Sequence, residues 1–229
     1  MEGGTVDQVV VLAGGMGSRL GSISEKIPKS LIEVAGRPIL YYILDWATNQ
    51  GCRKGLILTG HLGDQFDAFH PDCDIDLTFH REPRPLGTGG ALWNARELLD
   101  QRFILLWGDD LHMIDYSNLL ETHVCSGCDL TMTVTSKHSS FNLEYDMERV
   151  VRYDKHQSMP DGLNGYESGT SIVEKTLLEA HGRGGFWSWE EVVYPSMSGL
   201  IAAHLDDTPF WDIGTPERLV LLDRFLKEG

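Results

Sequence analysis

A short apolar segment runs directly into a glycine-rich loop near the start of the chain. Residues 8–13 read Gln-Val-Val-Val-Leu-Ala, and residues 14–17 read Gly-Gly-Met-Gly. A β-branched apolar run of this length that ends in glycines predicts a buried strand. Glycines after a strand let backbone N–H groups approach phosphate oxygens, because no side chain obstructs them and positive φ is tolerated. The pattern therefore predicts a phosphate-binding loop.

The residues that follow exclude two common phosphate loops. A Walker A loop closes with Gly-Lys-Ser/Thr, whereas Gly17 is followed here by Ser18 and Arg19. A dinucleotide-binding fingerprint needs a third small residue for close packing of helix on strand, and Leu20 stands in its place. Glycines alone identify no function, so the interpretation of the loop depends on motifs elsewhere in the chain.

Strand-like and helix-like segments alternate along the first half of the chain. The predicted strands cover 8–13, 55–59, 75–79 and 103–107, and the predicted helices cover 38–50, 63–69 and 88–99. This alternation is typical of βαβ units and a mostly parallel sheet. Right-handed crossovers place the loops after such strands along one edge, so residues 14–29, 81–90 and 108–110 are expected to converge there.

The pattern changes after residue 129, where strands are joined by shorter helices. The predicted strands cover 130–134, 150–153 and 168–173, and the predicted helices cover 174–180, 189–197 and 216–226. No Pro/Ser-rich linker separates the two halves. The second half is therefore expected to extend the same sheet rather than to form a separate domain.

The glycine-rich loop is the first of four motifs that together resemble the sugar-1-phosphate nucleotidylyltransferases. The motifs are Leu-Ala-Gly-Gly-Met-Gly-Ser-Arg-Leu at 12–20 with Pro-Lys at 28–29, Arg-Glu-Pro-Arg-Pro-Leu-Gly-Thr-Gly-Gly-Ala at 81–91, Gly-Asp at 108–109 and Asp-Ile-Gly-Thr-Pro-Glu at 212–217. The resemblance extends from about Val9 to Phe225. It implies an α/β, Rossmann-like three-layer nucleotidyltransferase fold with a mostly parallel mixed central sheet. It also implies one domain over 1–229, with a nucleotide-binding half at about 1–128 and a sugar-binding half at about 129–229.

The resemblance also implies a reaction and the residues that perform it. A sugar-phosphate oxygen attacks the α-phosphorus of a nucleoside triphosphate, and pyrophosphate leaves. A phosphate monoester is already anionic at neutral pH, so the reaction needs charge neutralisation and in-line positioning rather than a general base. Arg19 is expected to hold the pyrophosphate, Lys29 the α-phosphate, and Asp109 and Asp212 the cofactor Mg²⁺.

Two further sets of residues are implied to bind the substrates. The nucleotide is expected at Leu12, Ala13, Gly14, Gly15, Gly17, Glu82, Gly87 and Thr88. The sugar phosphate is expected at Lys155, Glu167, Ser168 and Gly169.

Simpler interpretations of several of these side chains stay open. Asp212 could merely cap a turn, and the charges of Glu82, Lys155 and Glu167 could be solvated surface charges. Asp110 stands where relatives commonly carry Thr, Ser or Asn. It either tunes the metal or caps a turn at 111–114.

The charge of the chain limits its partners. The formal net charge is −15, which argues against nucleic acid as a partner because such proteins need a basic face. Positive charge is concentrated in the glycine-rich region, where Arg19, Lys26 and Lys29 outnumber Glu25. The start of the chain resembles no signal peptide, and the apolar runs are too short to span a bilayer. We therefore expect a cytoplasmic protein without a membrane partner.

Four cysteines are expected to remain reduced in that compartment. Cys125 and Cys128 form a C-x-x-C, but no second pair accompanies them, so structural thiols are favoured over a zinc or redox site. The sequence shows no heptads, and it leaves the formation of a homo-oligomer open.

The substrates are the least determined part of the interpretation. Segments 82–90 and 186–190 (Phe-Trp-Ser-Trp-Glu) look most like those of D-glycero-α-D-manno-heptose 1-phosphate guanylyltransferases, which favours GTP and that heptose phosphate. UTP with another sugar phosphate, CTP with a phosphorylated alcohol, and a non-catalytic regulatory subunit stay open. Trp187 and Trp189 could stack on a sugar, although burial in the core is the default for tryptophan.

Overall fold

The computed structural model describes residues 6–15, 17, 20–21 and 24–228. The strands are β1 (Gln8–Leu12), β2 (Glu33–Val34), β3 (Arg37–Pro38), β4 (Lys54–Thr59), β5 (Asp76–Arg81), β6 (Arg102–Trp107), β7 (Asp110–His112), β8 (Leu130–Thr135), β9 (Leu143–Tyr145), β10 (Arg149–Tyr153), β11 (Tyr166–Glu174), β12 (Ile201–Leu205) and β13 (Phe210–Asp212). The α-helices are α1 (Ile39–Asn49), α2 (Gly87–Asn94), α3 (Tyr116–Ser126), α4 (Lys175–His181), α5 (Trp189–Ser196) and α6 (Pro216–Glu228). Short 3₁₀ helices cover Lys29–Leu31, Gly63–Ala68 and Arg96–Leu98.

Nine of the described strands form one sheet in the order β5-β4-β1-β6-β11-β8-β12-β10-β9. Strands β5, β4, β1 and β6 are parallel to one another, and β11 is antiparallel to both β6 and β8. Strand β12 is parallel to β8, whereas β10 is antiparallel to β12 and to β9. Within this nine-stranded sheet, all strands except β10 and β11 therefore run in the same direction. The predicted α/β fold with a mostly parallel mixed sheet is confirmed.

The sheet is buried on both faces, which makes the fold three-layered. In β1, Val9 and Val11 belong to one apolar core, while Val10 and Leu12 belong to a second core on the opposite face. Helices α1, α3 and α6 contribute buried side chains to the first core, and α2, α4 and α5 contribute to the second. A continuous apolar run is what a strand covered on both faces requires.

The predicted helix at 88–99 is interrupted in the structure. The α-helix ends at Asn94, and a 3₁₀ turn follows. The side chain of Gln8 explains the change, because its Nε2 donates to Leu98 O at 2.9 Å and its Oε1 accepts from Asp100 N at 2.8 Å. The amide thus holds the chain in a turn that a continued α-helix would not allow.

The predicted turn at 111–114 is wrong over its first residues. Asp110 begins a short strand that pairs with β13, so that Asp110 lies opposite Asp212. The cap of the following helix is Asp115, whose Oδ1 accepts hydrogen bonds from Ser117 N at 2.7 Å and Asn118 N at 3.2 Å. Asp110 is therefore not a helix cap.

Trp187 and Trp189 lie in the second core, with 4% and 0% of their surface exposed. Their default interpretation as core residues is confirmed.

The four cysteines are free thiols. Within the described ranges, no helix combines the length and the apolar character needed to cross a bilayer.

Candidate active site

A cavity of about 410 Å³ opens where β1, β4 and β6 end. Hydrogen bonds hold the loops together there: Ala13 N donates to Leu58 O at 2.9 Å, and Gly108 N donates to Leu12 O at 3.0 Å. Ten of the predicted residues line this cavity: Leu12, Ala13, Gly14, Gly15, Gly17, Lys29, Glu82, Gly87, Thr88 and Asp109. Arg19 lies outside the described residues.

The loop at 82–88 forms one wall of this cavity and is held by its own side chains. Glu82 Oε2 accepts a hydrogen bond from Leu86 N at 3.0 Å, and burial raises the pKa of its carboxyl group. Thr88 Oγ1 accepts from Trp189 N at 2.8 Å, which links the loop to α5. Gly87 has a φ of +70°, and a Cβ there would lie 2.5 Å from Trp187 O. Only glycine fits this position, because both the conformation and the close approach exclude a side chain.

Lys29 and Asp109 form an ion pair on the floor of the cavity. Lys29 lies on the 3₁₀ helix Lys29–Leu31, and its Nζ donates to Asp109 Oδ2. Their side chains are only 13% and 28% exposed. The pair therefore places a cation beside Gly17 of the glycine-rich loop.

Asp212 is held close to Asp109 by the β7–β13 ladder. Ile213 N donates to Asp109 O at 3.1 Å, and Asp212 lies opposite Asp110. Asp212 Oδ1 accepts from Gly214 N at 2.8 Å, as the turn-capping alternative expects. Its Oδ2 has a different partner, Arg218 Nη1, at 2.6 Å. Asp212 thus caps a turn with one oxygen and faces a cation with the other.

Asp110 completes a group of three neighbouring carboxylates. Burial raises its pKa well above the ordinary value, and the charges of Asp109 and Asp212 add to this effect. Neighbouring half-buried carboxylate oxygens favour a hard divalent cation. Within the described ranges, no group of three or more His, Cys, Asp or Glu side chains could hold a metal ion. Asp109 and Asp212 therefore fit Mg²⁺, which usually takes one or two carboxylates plus phosphate oxygens and water.

A second cavity of about 500 Å³ shares Trp107 and Asp109 with the first. Glu167 lies in it and is 8% exposed; its Oε1 accepts from Trp107 Nε1 at 3.3 Å. Burial raises the pKa of Glu167 to about 7, and the charge of Glu190 adds to the shift. Lys155 Nζ donates to Glu190 Oε2 at 3.0 Å. The solvated-surface alternative is therefore wrong for Glu167.

Two other residues predicted to bind the sugar phosphate, Ser168 and Gly169, do not line this cavity. Ser168 is fully buried, and its Oγ donates to Thr133 Oγ1 at 3.1 Å inside the sheet. Gly169 has a φ of +82°, and a Cβ there would come within 3.0 Å of Asp110 Oδ2. The side chain of Ser168 is thus directed into the protein, and Gly169 leaves room for a carboxylate.

Several cavity residues were not predicted from the sequence. Tyr166 stacks on His138 with ring centroids 3.7 Å apart, and on Phe210 with centroids 5.7 Å apart. Arg218 lines the same cavity, and Phe186, 75% exposed, lines the first one. The aromatic residues come from separate elements and share no motif. Arg218 follows directly after the Asp-Ile-Gly-Thr-Pro-Glu motif, which is the one signal that could have identified it.

Known proteins resemble the chain along most of its length. Residues 8–154 match the model of the nucleotidyl transferase family, which is more than half of the chain. D-glycero-α-D-manno-heptose 1-phosphate guanylyltransferase of Aneurinibacillus thermoaerophilus is 25% identical over 223 residues, covering 92% of this chain and 94% of its own. The protein of the same name from Campylobacter jejuni is 27% identical over 216 residues, covering 92% and 96%.

A solved structure agrees with these matches. The crystal structure of HddC from Yersinia pseudotuberculosis superposes with a TM-score of 0.80 at 28% identity, covering 96% of this chain and all 100% of that one. The structure of that protein complexed with GMP-PN gives a TM-score of 0.78 at 27% identity, with coverage of 96% and 100%.

Proposed function

Because the chain belongs to the nucleotidyl transferase family, we propose that it transfers a guanylyl group from GTP to D-glycero-α-D-manno-heptose 1-phosphate. The observation that carries this proposal is the meeting of two cavities at Asp109, one lined by the glycine-rich loop and one by Lys155 and Glu167. The choice of substrates is supported by the names of the two guanylyltransferases that match the chain almost end to end, and by the GMP-PN complex.

The reaction needs no general base from the protein. An anionic oxygen of the sugar phosphate attacks the α-phosphorus and forms the new P–O bond. The bond between the α-phosphorus and its bridging oxygen to the β-phosphate breaks, and pyrophosphate leaves with that electron pair. The protein contributes positioning and charge neutralisation, which is what phosphoryl transfer chiefly requires.

The residues at the junction of the cavities divide this work. Lys29 lies beside Asp109 and contacts the α-phosphate, and Arg19 holds the pyrophosphate. Asp109 and Asp212 hold Mg²⁺, which when bound neutralises phosphate charge and orients the triphosphate. Asp110 places a third carboxyl group beside these ligands, and its raised pKa favours the neutral form of that group.

The first half of the chain, about 1–128, binds the nucleotide. The backbone of Leu12, Ala13, Gly14, Gly15 and Gly17 surrounds its phosphates and sugar, and Glu82, Gly87 and Thr88 surround the base. The second half, about 129–229, binds the sugar phosphate through Lys155 and Glu167, which line the second cavity, and through Ser168 and Gly169, which follow Glu167 on β11. The cytoplasm is the compartment we propose, since free thiols such as these four are stable there.

A pyrophosphate-release assay with Mg²⁺ tests the proposal. The four common nucleoside triphosphates are crossed with a panel of sugar 1-phosphates, and GTP with the heptose 1-phosphate is expected to give the highest kcat/KM. Faster release with UTP and either N-acetylmuramate 1-phosphate or another hexose 1-phosphate would show that the proposed substrate pair is wrong. Faster release with CTP and a phosphorylated alcohol would also show that this pair is wrong. A folded sample that releases no pyrophosphate with any pair would favour the regulatory-subunit alternative.

A further inference from the structure

We propose that Arg218 binds the phosphate group of the sugar 1-phosphate, in addition to Lys155. Arg218 lies in the first turn of α6. It lines the second cavity, where the sugar phosphate is proposed to bind (the acceptor cavity), but not the first, where the nucleotide is proposed to bind (the nucleotide cavity). Its side chain is 43% exposed, so a ligand in the cavity can reach it. The inference rests on the proposed function, because it assumes a phosphorylated acceptor.

The guanidinium group of Arg218 is held in place and still has donors to offer. Its Nη1 donates to Asp212 Oδ2 at 2.6 Å, and among the described residues this is the one hydrogen bond its side chain makes. An arginine carries five N–H donors in a rigid fork that matches a phosphate group. The contact with Asp212 therefore orients the fork and leaves most of its donors for the cavity.

The position of Arg218 matches the place where the acceptor phosphate must lie. The attacking oxygen has to reach the α-phosphorus, so the acceptor phosphate sits where the two cavities meet, at Asp109. The neighbour Asp110 pairs across the β7–β13 ladder with Asp212, which holds Arg218. The three carboxylates are thus bracketed by Lys29 on the nucleotide side and by Arg218 on the acceptor side.

Lys155 alone is poorly suited to balance a phosphate dianion. Its Nζ is already paired with Glu190 Oε2 at 3.0 Å, and the carboxyl group of Glu167 lies in the same cavity. Arg218 faces Asp212, a carboxylate that is also a proposed Mg²⁺ ligand. The hydrogen bond to Asp212 uses one of the five N–H donors of the guanidinium group, so the remaining donors keep positive charge available to the cavity.

The test compares Arg218→Gln and Arg218→Lys with Arg224→Gln, a matched control that removes the same charge from an exposed position of α6. D-glycero-α-D-manno-heptose 1-phosphate is titrated into each protein by calorimetry, and KM is measured for both substrates. Arg218→Gln is expected to lower the affinity for the sugar 1-phosphate by about 10- to 100-fold, the loss typical of a charged hydrogen bond. Its KM for GTP is expected to change less than about twofold. Arg224→Gln is expected to behave like the wild type.

Unchanged affinity in Arg218→Gln would overturn the inference even if kcat fell, because Arg218 would then act only by positioning Asp212. If Arg218→Gln does not fold, Arg218→Lys decides, since it keeps the charge and loses the fork. A loss of at least about threefold supports phosphate binding, and wild-type affinity contradicts it. If the wild type uses another sugar 1-phosphate, only the heptose assignment fails, and the variants are titrated with that sugar instead.

Discussion

At the scale of single residues, Asp109 has the most demanding position. It belongs to both cavities, pairs with Lys29, and neighbours the buried Asp110. In the proposed reaction each substrate would bring further negative charge to this point, so the side chains around it would neutralise charge rather than transfer protons. Three carboxyl groups, those of Asp109, Asp110 and Asp212, lie here together with the basic side chains of Lys29 and Arg218.

Asp109→Asn is expected to lower kcat by at least about 10³-fold, because a neutral amide is a poor ligand for Mg²⁺ and loses the ion pair with Lys29. Steady-state kinetics and thermal unfolding measure the two effects separately. The control Asp161→Asn makes the same chemical change in an exposed loop and is expected to leave kcat unchanged. Near-normal turnover in a folded Asp109→Asn protein would refute the metal assignment.

Glu167 predicts a pH dependence of stability. Its folded pKa of about 7 lies above the ordinary 4.5, so the folded state holds a proton more tightly than the unfolded state. The resulting stability is fully present below about pH 4.5 and is lost as the pH rises through 7. Between pH 4.5 and 8, the free energy of unfolding of the wild type is expected to fall by up to about 3 kcal/mol relative to Glu167→Gln. Urea denaturation at pH 5 and pH 8 measures the difference, and a constant difference would refute it.

At the scale of elements, long periodic segments were predictable from the sequence and short paired strands were not. The helices α1 and α6 and the strands β1 and β6 begin and end within a few residues of their predicted limits. The three-residue strands β7, β9 and β13 are too short to show a period, and their pairing depends on contacts between distant parts of the chain. Strands β7 and β13 position the carboxylates. The motifs therefore identified these residues, but the local sequence did not predict the strand pairing that brings them together.

The same limit applies within the site. Much of the cavity around the glycine-rich loop was predictable, since ten of its lining residues belong to motifs that the sequence shows. The stack of His138, Tyr166 and Phe210 was not, because these residues are brought together only by the tertiary fold. The sequence did not show which of two neighbouring residues faces the second cavity: Glu167 lines it, whereas Ser168 Oγ donates to Thr133 Oγ1 within the sheet.

The loop before α2 provides a prediction at this scale. Gly87→Ala is expected to lower the free energy of unfolding by about 2–4 kcal/mol, because alanine is strained at a φ of +70° and its Cβ would press on the Trp187 carbonyl. The KM for GTP is expected to rise, since the loop lines the nucleotide cavity. Gly184→Ala is the control, because a Cβ there meets nothing within 4 Å. Equal stability of the two variants would contradict the explanation.

At the scale of the whole molecule, one sheet connects the two proposed halves. Strand β11 from the second half pairs with β6 from the first over five residues. Strand β1 contributes buried side chains to both apolar cores. The junction of the cavities lies above this connection. The geometry of the site therefore depends on the integrity of the whole sheet rather than on a hinge between domains.

A single cooperative unfolding transition is expected, because separating the halves would expose the edge of β6 and open both cores. Differential scanning calorimetry tests this, with a calorimetric enthalpy equal to the van't Hoff enthalpy as the expected result. Two resolved transitions, or a calorimetric enthalpy well above the van't Hoff value, would show that the halves unfold independently.

Trp107 forms part of the wall of both cavities, and its indole nitrogen donates to Glu167. Indole emission depends on the polarity and charge around the ring, so occupancy of either cavity alters the light this residue emits. Trp107 thus provides an intrinsic optical reporter at the point where the two proposed ligands would meet. The arrival of each ligand could then be followed in time as a change in tryptophan emission, with no added label and with the buried Trp187 and Trp189 left in place.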